Sequence, residues 1–207
     1  MPHAASSSLI RWLVVAVLSG PVWVTPLRAG GGPAAMIEDF HATLLEVMKR
    51  AEDLGVDGRY RVLEPRVRET YDFPRMIRIA AGPRWTRATP EEQDALLAAF
   101  AHFSVGTYAA RFDGYAGERF ETLGERPGPR ETVLVDTRIV RTDAPAVALT
   151  YVVERRDDRW RVIDVLLDGT ISELAMRRSE YRTLGGSTAA GLAEALDAAA
   201  AALIAER

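Results

Sequence analysis

Asp164 is the residue whose setting most demands an explanation. It interrupts the apolar run Trp160-Arg161-Val162-Ile163-Asp164-Val165-Leu166-Leu167. A run of Val, Ile and Leu without alternation reads as a strand buried on both faces. A carboxylate in such a strand is costly unless it is paired. Three roles are open to it. As a structural acid it pairs with Arg178, because positions 174, 178 and 181 share one face of the helix that follows. As a general base it needs an apolar pocket and a partner that polarises a substrate carbonyl. As an acid on a sheet edge it is simply solvated. The pair Asp164–Arg178 is the expected arrangement.

Other chemistry is sparsely supported. The three histidines are His3, His41 and His102, and none has ligand spacing around it. The chain has no cysteine, which excludes disulfides and a lipid-modified cysteine. Gly-x-Ser-x-Gly, the phosphate-binding loop and the dinucleotide fingerprint do not occur. Gly30-Gly31-Gly32 reads as a flexible start. No metal and no cofactor is expected.

The elements that must position Asp164 are legible in the local signals. Residues 1–29 carry Arg11, an apolar run from Trp12 to Val24, and Leu27-Arg28-Ala29, the order of a secretory signal peptide. That run is shorter than the ~20 apolar residues that span a bilayer. The remainder, 30–207, fits a single domain. Removing Arg11 and Arg28 leaves 24 basic against 29 acidic residues. That balance argues against nucleic acid as a partner and against strong docking on anionic lipid surfaces.

Pro33 to Leu54 reads as a first helix with Gly55 as its C-cap, and a short second helix is expected from Pro65. Asp72 is a good N-cap for a third. Thr89-Pro90-Glu91-Glu92 joins a capping box to proline at the first helical position and opens a helix to about Arg111. The period then changes. Arg119–Leu123, Thr132–Arg141, Ala146–Arg155 and Trp160–Leu167 read as a four-stranded antiparallel meander. Thr170-Ile171-Ser172-Glu173 is read as a second capping box opening a helix to Leu184, and Ser187 as the cap of a last, alanine-rich helix. Helices, then sheet, then helices make an α+β domain.

Several residues along this frame fall into a known pattern. Trp160, Asp164, Gly169, Ser172, Arg178 and Tyr181 resemble the W-x-x-x-D…G-x-S…R-x-x-F/Y signature of periplasmic phospholipid-shuttle proteins, also called the toluene-tolerance family. Tyr71-Asp72-Phe73-Pro74-Arg75-Met76, Gly82-Pro83-Arg84-Trp85-Thr86, Pro90-Glu91-Glu92-Gln93 and Phe100 are similar to the same family's upstream pattern. The match spans roughly residues 35–205. The form Asp168-Gly169-Thr170-Ile171-Ser172 looks closest to the hopanoid-biosynthesis-associated branch.

The resemblance implies helices on a curved antiparallel sheet of the cystatin-like or nuclear-transport-factor-like kind. It also implies a soluble, non-enzymatic component of an ABC-type lipid transport system in the periplasm. The ligand would be a phospholipid or hopanoid. The partners would be the lipid-binding subunit of an inner-membrane transporter and an outer-membrane lipoprotein complex. Phe73, Met76, Ile77, Leu97, Phe100, Phe103 and Tyr108 would line the lipid cavity from the helices. Val135, Leu149, Tyr151, Val153 and Val162 would line it from the sheet. Read without the resemblance, the same apolar faces are more simply a solid core, since composition does not distinguish a filled core from a hollow one. A small enzyme with Asp164 as base and a non-catalytic adaptor therefore stay open.

Overall fold

The computed structural model describes residues 31–205. The expected signal peptide, 1–29, lies outside the described residues. Helix α1 (Pro33–Lys49) is followed directly by α2 (Ala51–Thr70). Gly55 breaks the path of α2 with φ 58° and ψ 179°, a conformation that favours glycine. The break expected at Gly55 is present, but the chain returns to helix at once. The second helix therefore begins well before Pro65, which lies inside it.

Helix α3 (Phe73–Ala81) starts at the expected cap, with the Arg75 N–H donating to Asp72 Oδ1 at 3.0 Å. A short α4 (Pro83–Arg87) leads to α5 (Pro90–Arg111). The capping box of α5 is complete. Glu92 N donates to Thr89 Oγ1 at 3.3 Å, and Thr89 N donates to Glu92 Oε2 at 2.9 Å.

Four strands form the expected meander: β1 (Arg119–Pro127), β2 (Val133–Val140), β3 (Val147–Arg156) and β4 (Arg159–Leu167). A two-residue β5 (Ile171–Ser172) extends the sheet beyond β4, so the antiparallel order is β1-β2-β3-β4-β5 and not four strands alone. This strand moves the cap of the next helix. Ser172, not Thr170, caps α6 (Glu173–Tyr181), accepting from Ala175 N at 2.9 Å. At the last helix, α7 (Ala189–Ala205), Thr188 and not Ser187 accepts from Gly191 N, at 3.1 Å.

Register decides which sheet face meets the helices. Val135 pairs with Tyr151, Thr137 with Leu149, Tyr151 with Val165 and Leu149 with Leu167. A bulge opposite Val152/Val153 pairs Val153 with Val162 and so returns Val162 to the face of Val165. All five sheet residues assigned to the cavity thus share one face. Asp164, opposite Val152, lies on the other. One apolar core joins this inner face to α1, α2, α3, α5 and the inner residues of α6 and α7. Among the described residues no helix is long and apolar enough to cross a membrane.

Candidate lipid site between sheet and helices

A cavity of about 230 Å³ lies between the inner sheet face and helices α3, α5 and α6. Helix α5 contributes Phe100, Ser104, Thr107, Tyr108 and Arg111. Those positions recur every three to four residues, so one face of the helix forms one wall. Phe73 and Met76 come from α3, and Tyr71 from the residue that ends α2. The sheet supplies Ile139, Val147, Leu149, Tyr151, Val165 and Leu167. Glu173, Leu174 and Arg177 close one side from α6.

Polar groups in the walls are satisfied internally. Ser104 Oγ donates to Phe100 O at 2.7 Å and Thr107 Oγ1 to Phe103 O at 2.8 Å. The Tyr71 and Tyr108 hydroxyls are bonded to each other. Tyr151 Oη shares a 2.9 Å bond with His41 Nε2. Burial holds the Tyr71, Tyr108 and Tyr151 phenols well above their ordinary range, and it lowers His41 to about 4. At neutral pH these four side chains are therefore all uncharged. The charged groups are Arg111 and Glu173, 3.5 Å apart, and Arg177, whose guanidinium stands 4.7 Å over the Phe103 ring. The site is an apolar, aromatic chamber with an ion pair and one arginine at its margin. Such a surface can hold hydrocarbon and can meet a polar headgroup; it presents no nucleophile beside a base.

Of the residues assigned from sequence, Phe73, Met76, Phe100, Tyr108, Leu149 and Tyr151 are in the cavity wall. The others are placed elsewhere. Ile77, Val135, Val153 and Val162 have no solvent exposure and belong to solid core. Leu97 lines a separate groove beside Arg68 and Arg156. Phe103 lies under Arg177. Sequence reasoning missed Tyr71, Phe112, Ile139, Val147, Val165, Leu167, Glu173, Leu174 and Arg177. The i, i+4, i+7 spacing on α5 was a usable signal for Ser104, Thr107 and Arg111, hidden by their polarity.

The expected Asp164–Arg178 pair is not formed. Asp164 Oδ1 accepts from Val165 N at 2.8 Å and from Leu174 N at 3.0 Å, and Oδ2 accepts from Ser172 Oγ at 2.5 Å. The positive end of α6 and a hydroxyl compensate the acid, so no guanidinium is needed. Arg178 is exposed and makes no ion pair among the described residues. Asp164 is also absent from the cavity wall, which leaves it without the substrate access a general base requires.

The MlaC protein family model matches residues 38–197. A phospholipid-binding protein from Ralstonia solanacearum, solved in complex with a phospholipid, superposes with a TM-score of 0.71. It is 21% identical in sequence, and the match covers 84% of this chain and 99% of that one. A search of curated proteins finds no match. The family match over residues 38–197, most of the chain, shows that this chain belongs to the MlaC protein family.

Proposed function

We propose that this chain is a soluble periplasmic carrier that buries the acyl tails of one phospholipid in the cavity between sheet and helices. The carrying observation is the chamber walled by Phe73, Met76, Phe100, Leu149, Tyr151 and Leu167, in a fold that a relative uses to bind phospholipid. A lipid tail exposed to water costs roughly 0.8 kcal/mol per methylene. A carrier that covers the tail lowers the barrier to crossing an aqueous space without any covalent step. The ligand of the Ralstonia protein favours phospholipid over hopanoid. The carrier exchanges its lipid with the lipid-binding subunit of an inner-membrane transporter and with an outer-membrane lipoprotein complex. Residues 1–29 export it. The placement of Asp164 on the outer sheet face supports the carrier over an enzyme built on that acid.

At about 230 Å³ the cavity is smaller than the roughly 300–1,000 Å³ of drug-sized ligand sites. Seating a diacyl lipid therefore requires the helices to move off the sheet. The test is native mass spectrometry of the mature protein followed by lipid extraction, with Met76→Trp as a variant that fills the chamber. The expected result is one phospholipid per wild-type chain and a folded, empty Met76→Trp protein. A wild type that carries no lipid and takes none from vesicles overturns the carrier and leaves the adaptor.

A further inference from the structure

A second depression, of about 660 Å³, lies at the C-terminal end of α6, whereas the lipid cavity meets the first turns of that helix. Four arginines line it: Arg84 and Arg87 of α4, Arg178 of α6 and Arg182 just beyond it. No acidic residue is in its wall. None of the four guanidiniums makes an ion pair among the described residues, and the nearest acid on α6, Glu180, is engaged by Arg177 at 3.7 Å. Four positive charges without an acidic partner gather here in a chain of net charge −3. Arg87 Nε donates to Pro83 O at 3.1 Å and Arg182 Nη2 to Ser179 Oγ at 2.9 Å, and Arg178 makes no hydrogen bond among the described residues. Like charges spaced i, i+4, as Arg178 and Arg182 are, repel one another unless an anion intervenes.

The wall is built, not merely charged. Arg84 is buried, 8% exposed, and is held in place by donating Nη1 to Leu184 O and Nη2 to Arg182 O, both at 3.0 Å. Tyr181 also lines the depression, and its hydroxyl is buried with no hydrogen-bond partner among the described residues. A buried, unpartnered hydroxyl is unfavourable and marks a place where a partner is missing. Ser187 adds a second hydroxyl at the approach to α7.

We infer that this depression is an anion site for a phosphate group, distinct from the lipid cavity and independent of its occupancy. A carboxylate satisfies one guanidinium fork. A phosphate offers three or more acceptor oxygens and up to two charges, which suits several arginines converging with hydroxyl donors. The phosphate is either inorganic phosphate or the headgroup of a phospholipid presented by a membrane surface.

The experiment is calorimetric titration of the full mature chain with inorganic phosphate, against chloride at matched ionic strength. Sedimentation with phosphatidylcholine vesicles, with and without phosphatidic acid, runs beside it. Arg178→Gln/Arg182→Gln and Tyr181→Phe are the variants. The expected result is saturable phosphate binding, weakened about tenfold or more in the double variant, whose melting temperature in chloride matches wild type. Tyr181→Phe also weakens it, while a purely structural tyrosine leaves it unchanged. Should inorganic phosphate not bind but phosphatidic-acid vesicles pull down the wild type and not the double variant, the site serves a membrane-borne headgroup. If the double variant fails to fold, Arg87→Gln, exposed on α4, carries the same comparison. Phosphate and phosphatidic acid both acting no differently from chloride and phosphatidylcholine overturns the inference. So does undiminished binding in the variants.

Discussion

His41 carries a clear pH signature. Burial lowers it from 6.5 to about 4, and its Nε2 is committed to the Tyr151 hydroxyl at 2.9 Å. The unfolded chain takes up a proton as pH falls through 6.5, while the native chain resists until about 4. Stability contributed by neutral His41 is thus complete above pH 6.5, lost progressively between the two values, and gone below the lower one. The loss is about 3 kcal/mol. Chemical denaturation from pH 7.5 to 4 should show this slope, and His41→Gln should flatten it; an identical slope in the variant removes His41 as its source. Tyr181 is the second residue with a sharp expectation. Removing its unpartnered hydroxyl as Tyr181→Phe should raise unfolding free energy by about 1 kcal/mol or more in chloride buffer, since a buried orphan donor costs its desolvation. His41 is inconspicuous in the sequence, and Tyr181 stands out there only as part of a pattern, without a physical role. A histidine with no ligand spacing and a tyrosine on a helix face acquire their meaning from what packs against them.

The junction from β4 to α6 is where an element, not a residue, is specified. Asp164 is legible in the sequence as an acid needing compensation, and Ser172 and Leu174 follow it within ten residues. The choice among a helix N-terminus, a guanidinium and water depends on the two-residue β5, which turns the chain back on β4 before the helix begins. A two-residue strand has no periodicity to detect, so local pattern points to a cap at Thr170 and a partner at Arg178. The capping box at Thr89 succeeded because every group it uses lies within four residues. The corrected junction reverses an expectation about coupling. Asp164→Ala should lose hydrogen bonds to two backbone N–H groups and one hydroxyl and cost about 2–4 kcal/mol. Arg178→Ala, exposed and unpaired, should stay within about 0.5 kcal/mol of wild type. The double variant in a denaturant cycle should be additive within about 0.5 kcal/mol. A coupling of several kcal/mol would restore the ion pair. At the following turn, Gly185 has φ 68°, and a Cβ there would fall 2.2 Å from the Gly191 carbonyl oxygen. Gly185→Ala should therefore loosen the seat of α7 and lower the melting temperature, whereas Gly186→Ala has open space and meets backbone strain alone.

At the scale of the whole molecule, the α+β order and the inner sheet face follow from hydrophobic pattern, because a strand meander and amphipathic helices leave few ways to bury their apolar sides. What pattern does not contain is whether the buried space is full. Val153 and Val162 have no solvent exposure, pack as core, and differ in no sequence property from Val165 and Leu149, which face the cavity. Val162 lies against the α2–α3 junction, where Tyr71 bridges to it and Asp72 N donates to its carbonyl at 2.9 Å, whereas Leu149 and Leu167 lie further along the sheet, beside cavity-lining residues of α5 and α6. A paired experiment reads this division. Val162→Glu places an unpaired charge in solid packing and should unfold the domain or lower its melting temperature beyond use. Leu149→Glu, half-buried on the cavity wall, has space beside it and Arg111 and Arg177 in the same lining. It should remain folded by circular dichroism, with bound phospholipid lost in native mass spectrometry. The sheet is continuous and both residues lie on its inner face, so a uniform core would treat the two substitutions alike. Equal unfolding of both variants would mean that the chamber is too tightly held to open. A folded Leu149→Glu protein that retains its lipid would move the tails to another part of the molecule.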